Sequence, residues 1–111
     1  MSEHPALVAA AEAVRRDLPP QYAAALDAAV GHRAWWVSQW DDGAAYVLGL
    51  LAQAAQEVVH VDDPGWPACS EVSCPAYLAH ALFVEPDLGP DPFWTCHRTG
   101  LPVAEVGRLS G

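Results

Sequence analysis

Three cysteines and a histidine in the second half of the chain are the residues whose types and spacing point most directly to chemistry. Cys69 and Cys74 are separated by four residues, Cys96 lies further along, and His97 adjoins it. Zinc takes about four nitrogen or sulfur ligands at tetrahedral corners, and ligands paired on a loop are a common way to supply them. The expected ligand set is therefore Cys69, Cys74, Cys96 and His97, with His60 as the alternative fourth ligand. His80 falls outside the set, because six residues along an expected helix would turn it away from Cys74. The same thiols also have a purely structural reading: cysteine is among the most often buried residues, and three of them need no metal.

The run Cys96-His97-Arg98-Thr99-Gly100 resembles a zinc-knuckle turn, Cys-x-x-Cys-Gly, with Thr99 where the second cysteine would stand. The resemblance spans five residues and implies only that Cys96 opens a metal-binding turn. In an extended strand, neighbours face opposite ways, so Cys96 and His97 can share an ion only if they lie in a turn. A second chemistry for these residues is a nucleophilic thiol. That needs an imidazole within hydrogen-bond reach and a third group to orient it, which His60 or His80 would have to supply in the fold. Phe93-Trp94-Thr95-Cys96-His97 also ends like a c-type haem attachment motif, but Phe93 replaces its first cysteine and no haem is expected. Asp41-Asp42 and Asp62-Asp63 read as capping and solvated turns, since neither shows the alternating acidic spacing of a calcium loop. Trp35, Trp36 and Trp40 form the densest aromatic group. Adjacent positions on a helix lie about 100° apart, so the three cannot easily all point inward, and this segment is the expected contact with a protein partner or a second copy.

The elements that must position these residues follow from periodicity. Leu7, Ala10, Ala11 and Val14 form a helical stripe over residues 6–17, which Leu18-Pro19-Pro20 ends. A second helix is expected from Pro20 to Val30, closed by Gly31. Residues 32–40 fit either helix or strand. Helical spacing of Ala44, Val47, Leu48, Leu51, Ala54, Ala55 and Val58 favours a long helix opened by Asp41 and Asp42, not a hairpin at this point. Beyond His60 the chain is rich in proline and glycine. A short helix from Cys74 to Val84, capped by Ser73, is expected there, followed by a hairpin of strands 93–96 and 101–106. Pro102 lacks a donor and marks the second strand as an edge. The fold expected is mostly α: a small helical bundle (1–60) packed around Trp36, Trp40 and Leu48, with an irregular Cys/His lobe (61–111) of short helix plus β-hairpin.

Length and composition set the limits. A chain of 111 residues, 52% apolar, fits one domain able to remove roughly 65% of its unfolded surface from water. No apolar run reaches the roughly eighteen residues of a membrane span, and Glu3, Glu12, Arg15 and Arg16 are placed unlike those of a secretory leader, so a cytoplasmic protein with free thiols is expected. Net charge is −9, and no lysine or arginine occurs from Ala34 to His97. Non-specific nucleic-acid binding requires clustered cations, so nucleic acid and anionic membrane are not expected partners. The function expected is that of a small acidic protein-binding or regulatory protein stabilised by zinc. The alternative is a small cysteine- or metal-dependent enzyme.

Overall fold

A computed structural model describes residues 5–39, 43, 45–71, 74, 80–86, 89 and 91–109, with the side chains of 35–39 outside that description. Helix α1 (Pro5–Asp17) buries Leu7, Ala10, Ala11, Ala13 and Val14 on one face. Its alanines keep that face thin, which lets neighbouring elements approach closely. A 3-10 turn (Pro20–Tyr22) leads into α2 (Ala23–Gln39), and α3 (Val47–His60) packs against both helices.

Gly31 does not end the second helix. No atom lies within 4 Å of the position its Cβ would occupy, and the helix runs through it to Gln39. A glycine inside a helix costs only about 1 kcal/mol relative to alanine. Residues 32–39 are therefore helical. The side chains of Trp35 and Trp36, and all of Trp40, lie outside the described residues, as do Asp41 and Asp42. Helix α3 begins later than expected, at Val47, after a tight turn in which the Tyr46 N–H donates to Gly43 O (2.9 Å).

The second half departs further from expectation. Of the helix expected from Cys74 to Val84, Ser73 and residues 75–79 lie outside the described residues, and His80 to Val84 are not helical. Instead β1 (Phe83–Glu85), β2 (Phe93–Thr95) and β3 (Pro102–Glu105) form an antiparallel sheet in the order β1-β2-β3. The molecule is thus a mixed α/β domain, and the expectation of a mostly helical bundle is corrected: the hairpin is extended by β1 into a three-stranded sheet. The physical reason is visible in Phe83-Val84-Glu85, whose burial alternates exposed, buried, exposed in strand fashion. The expected hairpin is present as β2 and β3, with Pro102 on an edge strand.

The core also differs from the one expected. Leu48 is only half-buried, and the α3 face that packs inward is Val47, Leu51, Ala52, Ala55 and Val59. These join Val14, Leu26, Leu82, Val84, Trp94 and Cys96 in one cluster, with Trp94 the largest fully buried side chain among the described residues. Three polar attachments fix the sheet to the helices. Asp17 accepts from Trp94 Nε1 (2.8 Å), from Leu109 N (3.0 Å) and from Gly107 N. Buried Gln56 donates through Nε2 to Leu82 O (2.6 Å) and Trp66 O (3.3 Å). Arg16 Nε donates to Gly107 O (3.2 Å). Gly107 has φ +100, and a Cβ there would lie 3.0 Å from the Ala13 Cβ, so the chain end crosses α1 at a point only glycine fits well.

Candidate metal centre

Cys69 and His80 meet because two stretches of backbone pair. Ala68 and Ala81 form an antiparallel bridge, Leu82 N donates to Pro67 O (2.7 Å), and Cys69 N donates to His80 O (2.9 Å). That register sets residues 69 and 80 opposite each other. Cys74 follows a turn in which its N–H donates to Glu71 O (3.0 Å). Cys96 comes from the end of β2, where Gly100 N donates to Cys96 O (2.7 Å) and Cys96 N to Leu101 O (3.0 Å). Gly100 adopts φ +74, a left-handed conformation that turns the chain back into β3.

The result is a group of four ligand atoms, from Cys69, Cys74, His80 and Cys96, all within 4.8 Å of one another. Cys74 Sγ is 3.2 Å from His80 Nε2, Cys96 Sγ is 3.7 Å from Cys74 Sγ, and Cys96 Sγ is 3.9 Å from His80 Nε2. Zn–S bonds of about 2.3 Å and Zn–N bonds of about 2.0–2.1 Å give a tetrahedron with S···S edges of about 3.8 Å and S···N edges of about 3.6 Å. The three separations thus match tetrahedral edges to within a few tenths of an ångström, and the group is compatible with a metal site. His80 is oriented for this role: its Nδ1 lies 3.2 Å from Ala81 O, which leaves the Nε2 lone pair facing the thiols when Nδ1 carries the proton.

The electrostatics favour thiolate at one corner. Hydrogen bonding from the Thr99 side chain, against the opposing effect of burial, lowers the Cys96 thiol to about 6, and the backbone N–H groups of Thr99 and Arg98 add to the effect. Thr99 Oγ1 accepts from Leu101 N (3.2 Å), which leaves its own proton to donate to sulfur. Thr99, the departure from the knuckle pattern, here stabilises the one cysteine that remains. Burial is the main influence that raises Cys69, and the neighbouring Cys96 adds to it. Cys96 therefore ionises before Cys69, and a bound cation would draw protons off its ligands.

His97 is not in this group. It follows Cys96 with its side chain turned outward, where Nε2 pairs with Glu85 Oε1 (2.7 Å) and the ring stacks on Phe83 at 4.7 Å. His60 is also elsewhere, with Nε2 2.6 Å from Trp66 O and its ring edge-on to Phe83. His80 takes the place assigned to His97. A helix from Cys74 to Val84 would turn it away from Cys74, but Ala81 sits in a β-bridge and His80 is not helical. The local signal against a helix reaching Val84 is Phe83-Val84, an aromatic and a β-branched residue just ahead of Pro86, which suit a strand better than a helix end.

The chain belongs to the family described as Domain of unknown function (DUF8819), which matches residues 2–106 and so includes the helices, the sheet and all four residues of the cluster. No curated protein and no solved structure matches the chain.

Proposed function

We propose that this domain of unknown function is a zinc-stapled binding module, in which Cys69, Cys74, His80 and Cys96 hold one structural Zn²⁺ and the fold it secures presents a surface to a protein partner. The observation that carries the metal reading is the convergence of four ligand atoms within 4.8 Å. Three sulfurs and one imidazole nitrogen are soft to borderline donors that suit zinc over calcium or magnesium. Four protein ligands leave no open position, which marks a structural site and not a catalytic one. For the partner, α2 offers support: from Gly31 to Ala34 none of its residues is buried, and none of them belongs to the apolar cluster of the core.

Elemental analysis of the purified protein tests the metal. One equivalent of zinc is expected, falling sharply in Cys69→Ser, Cys74→Ser, His80→Ala and Cys96→Ser; less than a tenth of an equivalent in the unaltered protein would end the reading. Solution mass and partner capture with Trp35→Ala test the surface, which should weaken association more than stability.

A specific observation favours the enzyme alternative as a second reading. Cys74 and His80 lie 3.2 Å apart, the reach of a thiol–imidazole dyad, with Ala81 O orienting the ring. Against it, the thiol that its surroundings hold low is Cys96, which is fully buried, and a nucleophile must be reached by its substrate. In metal-free protein, one-equivalent alkylation of Cys74 that is far faster than that of a free thiol would favour the enzyme.

A further inference from the structure

The outer face of the sheet carries a second feature, separate from the thiol cluster. A shallow cleft of about 570 Å³ is lined by Glu85, Pro86, Phe93, Thr95, Gly100 and Pro102. In the strand register Phe93 stands between Glu85 of β1 and Glu105 of β3, its direct partners on either side. Directly paired residues in an antiparallel sheet share a face. An aromatic ring is thus flanked by two carboxylates across three strands, while Trp94 and Val84 take the opposite face into the core. Both carboxylates are more than half exposed, at 54% and 56%.

We infer that this cleft docks a partner segment bearing an arginine or lysine, whose cation lies over the Phe93 ring between Glu85 and Glu105. A cation is attracted to the face of an aromatic ring, and carboxylates beside the ring add to that attraction. The charge of the whole chain agrees: at −9, with no lysine or arginine between Ala34 and His97, it draws cationic partners and repels anionic ones. Pro86, Pro102 and the open space above Gly100 give the flanking apolar residues of such a segment a surface to lie on. The present partners of the two carboxylates do not block the site. Glu85 pairs with His97 and Glu105 with Arg108, both at the surface. Exposed pairs of this kind contribute little and exchange readily.

This inference names the partner chemistry for the binding reading above and does not depend on the metal. The probe is acetyl-Leu-Arg-Leu-amide, with the citrulline peptide as its uncharged match and a neutral proline-rich peptide as competitor, titrated at millimolar concentration into protein as purified and followed by amide chemical shifts. Shifts are expected at Glu85, Phe93, Thr95 and Gly100, with the citrulline peptide weaker by about fivefold or more. Phe93→Leu, which keeps apolar bulk, and the double variant Glu85→Gln/Glu105→Gln should each bring the arginine peptide down to the citrulline level. Equal affinity for the two peptides, tighter binding of the proline-rich peptide, or no shifts at all would overturn the inference. Charge-dependent shifts confined to the end of α2 would also overturn it, while leaving the chain a binding module through another surface.

Discussion

Replacing His80 by alanine, beside the same change at His97, separates the two ligand sets that the Cys/His residues allow. His80 Nε2 is 3.2 Å from Cys74 Sγ and 3.9 Å from Cys96 Sγ, whereas His97 is held on the outside by Glu85 at 2.7 Å. Structural zinc in small domains binds with an apparent free energy of about 10–16 kcal/mol, or roughly 3 kcal/mol per ligand if shared equally among four. At about 1.4 kcal/mol per tenfold, His80→Ala should weaken zinc by about 100-fold, with a water taking the vacated corner. His97→Ala removes one exposed ion pair, worth about 0–1 kcal/mol of stability, and should leave zinc affinity within about twofold. Competition against a chromophoric chelator at fixed pH measures both, and the visible spectrum of the Co²⁺-substituted protein reports whether the fourth ligand is nitrogen or water. The reasoning fails if His97→Ala weakens zinc as much as His80→Ala does, or if His80→Ala leaves affinity and spectrum unchanged.

Other expectations follow from the same structure. Asp17→Ala leaves the buried Trp94 Nε1 and the Gly107 and Leu109 amides without their acceptor and should cost about 2–4 kcal/mol in urea unfolding, more than any exposed ion pair in the chain. Gly107→Ala should cost about 1–3 kcal/mol, because φ +100 is strained for a side chain and a methyl group 3.0 Å from the Ala13 Cβ would force α1 or the chain to shift; a change within error would refute that account. In metal-free protein the Cys96 thiolate should appear near pH 6, read as ultraviolet thiolate absorbance that Cys96→Ser abolishes. Because folding lowers this thiol, its contribution to stability is present at high pH and is lost as pH falls through about 6; Thr99→Val should move that loss to higher pH.

What could be read from the sequence was mainly local. The α1 stripe, its end at Leu18-Pro19-Pro20, and strands at 93–96 and 101–106 with Pro102 at an edge all follow from nearest neighbours, and the structure has each of them. The three cysteines named as ligands lie together, but the fourth partner was hidden. His80 reaches the group only through the pairing of Ala68 with Ala81, a contact between stretches whose local sequence says nothing about one another. Its surroundings, Tyr77-Leu78-Ala79-His80-Ala81-Leu82, look helical by propensity, and only the β-sheet context decides otherwise for Ala81 onward. The end of the second helix was misjudged for the opposite reason: Gly31 is a strong local signal, but the segment beyond it is helical enough to continue regardless. Trp94 shows how a core is concealed. Its burial depends on Asp17, 77 residues earlier, accepting its indole N–H.

These long-range contacts divide the work of holding the sheet. At one end, Asp17 and Arg16 grip the chain around Gly107, and Gln56 grips Leu82, so β1 and β3 are fixed to α1 and α3 without any metal. At the other end, among the described residues, Cys69 N donates to His80 O, Cys74 N to Glu71 O and Gly100 N to Cys96 O, in a region where proline and glycine are frequent. Trp94, Val84 and Leu82 share one apolar cluster with the helices. A metal at the thiol group would therefore fasten not a separate lobe but one corner of a common core. Such a metal would tie the stretch around Cys69, Cys74 and His80 to the end of β2 at Cys96. Gly100 and Thr95 lie close to Cys96 in the chain and also line the cleft beside Phe93, but the row Glu85–Phe93–Glu105 is set by strand pairing and not by the four ligands.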